Sequence, residues 1–142
     1  YIDLLSKEAR AFGAHVVIVH GETIMEPVID GTNMAAVSSK HVDILAHPGL
    51  ITMDEASMAA ENGVFLEISG RKGHGLANGH VAKIARESGA TLILDSDAHE
   101  PDDLMTQDYA EKIAEGSGLN KEEKETVLKQ SPLTLIRKIG NR

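Results

Sequence analysis

Residues 92–99 read Leu92-Ile93-Leu94-Asp95-Ser96-Asp97-Ala98-His99, and the fold turns on how that stretch is taken. Its first half is an apolar run of the kind a strand shows when both faces are covered; its second half delivers two carboxylates and an imidazole. Side chains alternate along an extended segment, so Asp97 and His99 point to one side, and Asp95 shares it. Taken alone, such an ending reads as a loop in which Asp97 caps the next helix and His99 meets water. Other strands in the chain end the same way, and that turns the reading toward chemistry.

Working outward, residues 15–19, 42–46 and 64–68 are further short runs rich in β-branched and apolar side chains, and the run from Leu92 extends to Asp97. Between them lie helical patterns. Leu4, Leu5, Ala9 and Phe12 recur at helical spacing ahead of Gly13. Thr32 or Asn33 is placed to cap a short helix over 34–38, and Thr52 one that stops at Gly63. Asn78 or Gly79 introduces a helix ending at Gly89, with Val81, Ile84 and Ala85 inward. Pro101 opens a helical region to about Gly116, Asn120 caps another through Gln130, and Ser131-Pro132 starts the last. Strands alternating with helices, joined by connections long enough to cross over, make this an α/β chain of about four parallel strands with covering helices.

The 142 residues are 42% hydrophobic and 25% charged, enough for one domain with a real core. Aromatic residues make up 3%, so the core rests on Ile, Leu, Val, Ala and Met. A formal net charge of -8 argues against general affinity for nucleic acid or anionic membranes, which clustered cations would hold. Cysteine is absent, so any metal must be held by nitrogen and oxygen. No apolar run nears the roughly 18 residues of a membrane span, no signal-peptide pattern is present, and the expected location is the cytoplasm.

His20, His47, and the pair Asp97 and His99 all fall just beyond strand carboxyl ends. In a parallel sheet or barrel those ends converge on one face, where ligands bind. Histidines and carboxylates gathered there suit Zn, Mn or Fe, although any one such histidine, met singly, is more often structural. Glu22, two residues from His20, can face the same cavity as acid/base or as a partner that orients a ligand. Asp95 can orient ligands too. The loop at 69–75 carries Arg71, Lys72 and His74 among glycines, and with His80 it reads either as a phosphate-binding site or as a solvated loop before a capped helix. Glu67 alternates with Phe65, which leaves its direction open. His15 and His41 precede their strands, at the wrong ends, and read as structural.

His20-Gly-Glu22, Ala46-His-Pro-Gly49 and Ser96-Asp-Ala-His99, in this order and spacing, resemble the later motifs of the PHP (polymerase and histidinol phosphatase) superfamily, and in particular its small stand-alone histidinol-phosphatase-like proteins. The resemblance runs over essentially the whole chain. It implies a distorted seven-stranded β/α barrel of TIM-like form with up to three divalent metals: His20 and His47 on one, Asp97 on a second, His99 on a third. The family's opening His-x-His motif, a further early histidine and a bridging glutamate have no counterpart in residues 1–14. The expectation is therefore a single PHP-like domain, 1–142, lacking its first strands, since the chain starts at Tyr1 rather than Met. A barrel short of strands should associate, swap or require the missing part.

The function expected from the resemblance is a metal-dependent phosphoesterase acting on a small phosphate monoester through metal-activated water. Its working residues are Glu22 and Asp97 in catalysis, His20, His47, Asp97 and His99 on metal, and Arg71, His74 and His80 on substrate. The rivals are an amidohydrolase-like metal hydrolase and a non-catalytic module that keeps the fold.

Overall fold

A computed structural model describes residues 1–141. Its centre is a sheet of four parallel strands, β1 (Ile18–His20), β2 (Ile44–Ala46), β3 (Phe65–Ser69) and β4 (Leu92–Asp95), in the order β1-β2-β3-β4. Each strand thus lies beside its neighbour in sequence, and a helical crossover returns the chain to the same end of the sheet every time. The helices are α1 (Ile2–Ala11), α2 (Thr32–Val37), α3 (Met53–Asn62), α4 (Asn78–Ser88), α5 (Gln107–Gly116), α6 (Lys121–Glu125) and α7 (Ser131–Gly140).

Alternation along the strands divides the core. Leu45 and Leu66 point to the face where Val37, Ala56, Ala59, Val81 and Ala85 pack, and Ile68 with Ala82, Ala114 and Val127 continues that layer. Ile44, Phe65 and Ile93 point the other way, against Val16 and Leu135 of α7. The small residues on α3 and α4 let these helices sit close to the sheet. Thr52 and Glu55 cap α3 reciprocally, Gly63 ends it at a left-handed φ of 66°, and Asn120 with Glu123 begins α6 in the same reciprocal way.

Four features differ from expectation, and for three of them the cause is visible. The run expected at 15–19 pairs only from Ile18, and it includes His20. Ahead of the pairing, Asp43 Oδ2 takes the N–H of Val17 at 2.9 Å. The last strand stops at Asp95 instead of reaching Asp97, because Asp97 has a φ of 46° and its N–H turns back to Asp95 Oδ1 at 3.1 Å. Neither Thr32 nor Asn33 caps α2. Its orphan Asn33 N–H is taken at 2.8 Å by the carboxylate of Glu22, eleven residues upstream. The helix expected from Asn120 to Gln130 closes α6 at Glu125 and passes through one wide π-type turn, Thr126–Gln130, into α7.

At the amino-terminal ends of the strands, fully buried Asp43 is held by Arg10, by Val17 N–H and, at 3.4 Å, by Lys138 Nζ. That knot ties α1, the approach to β1, β2 and α7 together. The described residues form this open sheet; the seven-stranded barrel goes beyond it. No helix among them is long and apolar enough to cross a membrane.

Candidate metal centre

At the opposite, carboxyl-terminal ends, β1 delivers His20, β2 runs straight into His47, and β4 leads to Asp97. Among the described residues His47 (φ 31°) and Asp97 (φ 46°) are the two non-glycine residues with left-handed backbone. Such conformations are costly and persist where surrounding structure enforces them, often at sites of function. Gly49 closes the turn after His47 at a φ of 61°, with the Glu22 carbonyl lying where a Cβ would stand.

The hydrogen bonds assign the proton on each imidazole. Glu67 Oε2 accepts from both the backbone N–H of His47 and, at 2.9 Å, its Nδ1–H, which leaves His47 Nε2 bare; that nitrogen is buried without a hydrogen-bond partner among the described residues. His20 Nδ1–H donates to the Gly21 carbonyl at 3.0 Å, so its Nε2 is bare and faces Glu26 Oε2 at 3.4 Å. His74 Nε2–H donates to Glu26 Oε1 at 3.3 Å; its Nδ1 is bare, buried and 3.5 Å from Asp97 Oδ2. The rings gather closely, with centroids 4.4 Å apart for His20 and His47 and 4.1 Å for His47 and His74. His47, His74 and Asp97 each offer a ligand atom within 4.8 Å of the others. Bare nitrogens and carboxylate oxygens converge here, and His74 turns its bare nitrogen rather than its N–H toward Asp97 Oδ2. A divalent ion with nitrogen and oxygen ligands fits that set.

The electrostatics keep the two buried imidazoles, His47 and His74, in their ligating form. Burial lowers the pKa of His47, against the pull of Asp97, Asp95 and Glu26. Burial, then the neighbouring His47, lowers that of His74. Beneath them Asp95 is pushed up to about 8, first by burial and then by Glu67, whose own carboxyl is raised by burial. With the proton on Asp95, Glu67 remains an acceptor for His47.

The other proposed residues fall around this group. His99 is mostly exposed; its Nδ1 lies 3.8 Å from Asp97 Oδ1 and 2.7 Å from Arg71 Nη1. Arg71 also reaches Asp97 Oδ2 at 3.2 Å, and its loop borders a cavity of about 480 Å³ that Lys72, Gly75, Asn78 and Tyr109 help to line. Of the residues proposed for substrate, His74 stands in the ligand cluster itself. His80 lies apart, donating from Nε2 to the Ile51 carbonyl at 2.8 Å, a contact that ties α4 to the loop before α3. Glu22 holds α2 through its carboxylate. Sequence reasoning missed Glu26, which sits in an irregular stretch beside Pro27 where no periodicity gives direction. It left Glu67 open, although the alternation that pairs Glu67 with Phe65 also puts it on the face of Asp95.

The chain is 44% identical over 138 residues to a protein of Methanocaldococcus jannaschii named as uncharacterized, covering 97% of this chain and 63% of that one. It is 36% identical over 118 residues to a probable phosphatase of Shewanella sp. strain MR-4, covering 75% of this chain and 46% of that protein. With a probable phosphatase of Thermoanaerobacter sp. strain X514 it shares 34% identity over 98 residues, 61% of this chain and 40% of that protein. The chain thus spans between 40 and 63% of the length of these relatives. No family model matches it, and no solved structure does.

Proposed function

We propose that this chain carries part of the active site of a metal-dependent phosphoesterase of the PHP superfamily, acting on a small phosphate monoester. The observation that carries the reading is the cluster itself: His47, His74 and Asp97 each offer a ligand atom within 4.8 Å of the others, and His47 Nε2 and His74 Nδ1 are buried without a hydrogen-bond partner among the described residues. The phosphatase names of relatives support the reaction class. The full site, a barrel larger than four strands, and Zn, Mn or Fe as the ion belong to the proposal.

His47, His74 and Asp97 would hold a divalent ion, with His20 and His99 at its flanks. Such an ion supplies Lewis acidity toward a phosphoryl oxygen and toward the attacking water. Glu67 and Asp95 keep His47 turned inward in the correct tautomer. Arg71, on a glycine-rich loop beside Asp97, presents a fork that matches two phosphate oxygens, which a net charge of -8 makes necessary for an anionic substrate.

The test is metal analysis and hydrolysis by the full-length protein, loaded in turn with zinc, manganese and iron, on a panel of phosphate monoesters and amides. Phosphate release that needs the metal and drops by orders of magnitude in Asp97→Asn is expected. Amide cleavage instead, or a protein that takes up no divalent ion, would overturn the reading.

A further inference from the structure

The most informative group outside the expected motifs is Glu26. It lies in the loop 21–31, at the solvent side of the three imidazoles, and its two oxygens are divided between two of them. Oε1 is 3.3 Å from His74 Nε2, and Oε2 is 3.4 Å from His20 Nε2. The two contacts differ in kind. His74 has no other acceptor for its Nε2 proton among the described residues, so Glu26 fixes which nitrogen of that ring is bare, and with it the direction of the bare Nδ1 toward Asp97. His20 has already committed its Nδ1 proton to the Gly21 carbonyl, so its bare Nε2 meets a carboxylate oxygen. Two acceptors face each other, and a cation between them relieves the opposition.

A second contact joins the same two loops. The Met25 side chain lies over Gly73, one residue from His74, so closely that a Cβ on Gly73 would meet its Cε at 3.0 Å. The loop is anchored in turn by Glu22 and Asn33, whose backbones and side chains bond each other at 2.9 and 2.8 Å. Met25 therefore sets the height of the loop, and Glu26 carries its charge into the cluster.

We propose that Glu26 is a positioning residue that makes His74 a metal ligand: it holds His74 as the Nε2–H tautomer and balances the charge of an ion shared with His20. This rests on the metal reading above, and the experiment separates the two. In the full-length protein, dissociation constants for Zn and Mn are measured by competition with a chromophoric chelator for wild type, Glu26→Ala, Glu26→Gln, His47→Ala and Asp97→Asn. Histidine tautomers are read by long-range nitrogen-proton NMR of the zinc form.

Removing the partner that orients a ligand typically weakens metal binding by about 10–100-fold, and that loss is expected for Glu26→Ala together with a mixed His74 tautomer. Glu26→Gln keeps an acceptor for Nε2–H, so its tautomer should persist while affinity falls by a smaller factor; a general loosening of the fold would not separate these readouts. Affinity within about twofold of wild type in Glu26→Ala, with His47→Ala defective, overturns the role of Glu26 and leaves the metal site standing. Should Glu26→Ala fail to fold, unchanged affinity in Glu26→Gln has the same force. Wild-type affinity in both His47→Ala and Asp97→Asn overturns the metal reading itself.

Discussion

Asp95 shows how a single side chain couples the site to stability. Its carboxyl ionises near 8 in the folded chain against an ordinary 3.8, chiefly because it is buried and secondly because Glu67 is beside it. Between those two values the folded state keeps a proton that the unfolded state releases. The stabilisation is fully present below about pH 3.8 and is lost as pH rises through 8. With divalent ions removed by chelation, the melting temperature of wild type should therefore fall from pH 5 to pH 8. Asp95→Asn should flatten that slope and be the more stable of the two at pH 8. Parallel slopes for the two proteins would show that Asp95 does not hold the proton. The motifs at His20, His47 and Asp97 were legible in the sequence because each follows an apolar run whose end is marked. Glu26 was not, since a carboxylate in an aperiodic loop carries no direction until the loop is folded. His74 was legible as a charged-loop residue read toward substrate; its approach to Asp97 was not, because only the three-dimensional packing of Met25 and Glu26 against its loop sets it.

At the level of elements, α2 is the least self-sufficient helix: six residues, begun at Gly31 with no side-chain cap of its own. A helix this short is held by tertiary contact, and Glu22 provides it by accepting the Asn33 N–H while Asn33 Nδ2 reaches the Pro48 carbonyl at 2.8 Å. Glu22→Ala should lower stability by about 1 kcal/mol, as loss of a cap does, visible as a shift of the denaturation midpoint, with Glu22→Gln between it and wild type. A variant as stable as wild type but without turnover would return Glu22 to the acid/base role expected from its nearness to His20. Caps on α3 and α6 were readable from Thr52 and Asn120 because donor and acceptor lie three residues apart. The α2 cap was not, because its acceptor comes from another part of the chain. Strand positions were readable to within a few residues, and the shifts arose where Asp43 and Asp97 redirect the backbone.

Across the whole molecule, the two ends of the sheet divide the labour. One end gathers imidazoles and carboxylates; the other is locked by Asp43 with Arg10 and Lys138. Removing one partner from a buried ion pair leaves a charge without compensation, at a cost of about 3–5 kcal/mol. Asp43→Ala should accordingly lower the denaturation midpoint sharply. In the fraction that remains folded the zinc dissociation constant should stay unchanged, since the knot lies at the far end of the strands. Weakened zinc binding in folded Asp43→Ala would show that the two ends are coupled. The parallel order of the sheet was legible from alternating strands and helices.

The strand order β1-β2-β3-β4 also sets a sequence in time. A chain leaving the ribosome can lay each strand against the one before it without waiting for a distant partner, so the sheet grows from the amino end outward. The proposed ligands emerge in the same order: His20, His47, His74 and then Asp97 with His99. Until β4 docks, the histidines have no carboxylate from that strand to close the set, and a passing ion meets only an open half-site. Under the metal reading, uptake is thereby placed after β4 has docked, when the sheet that must hold the ion has been assembled.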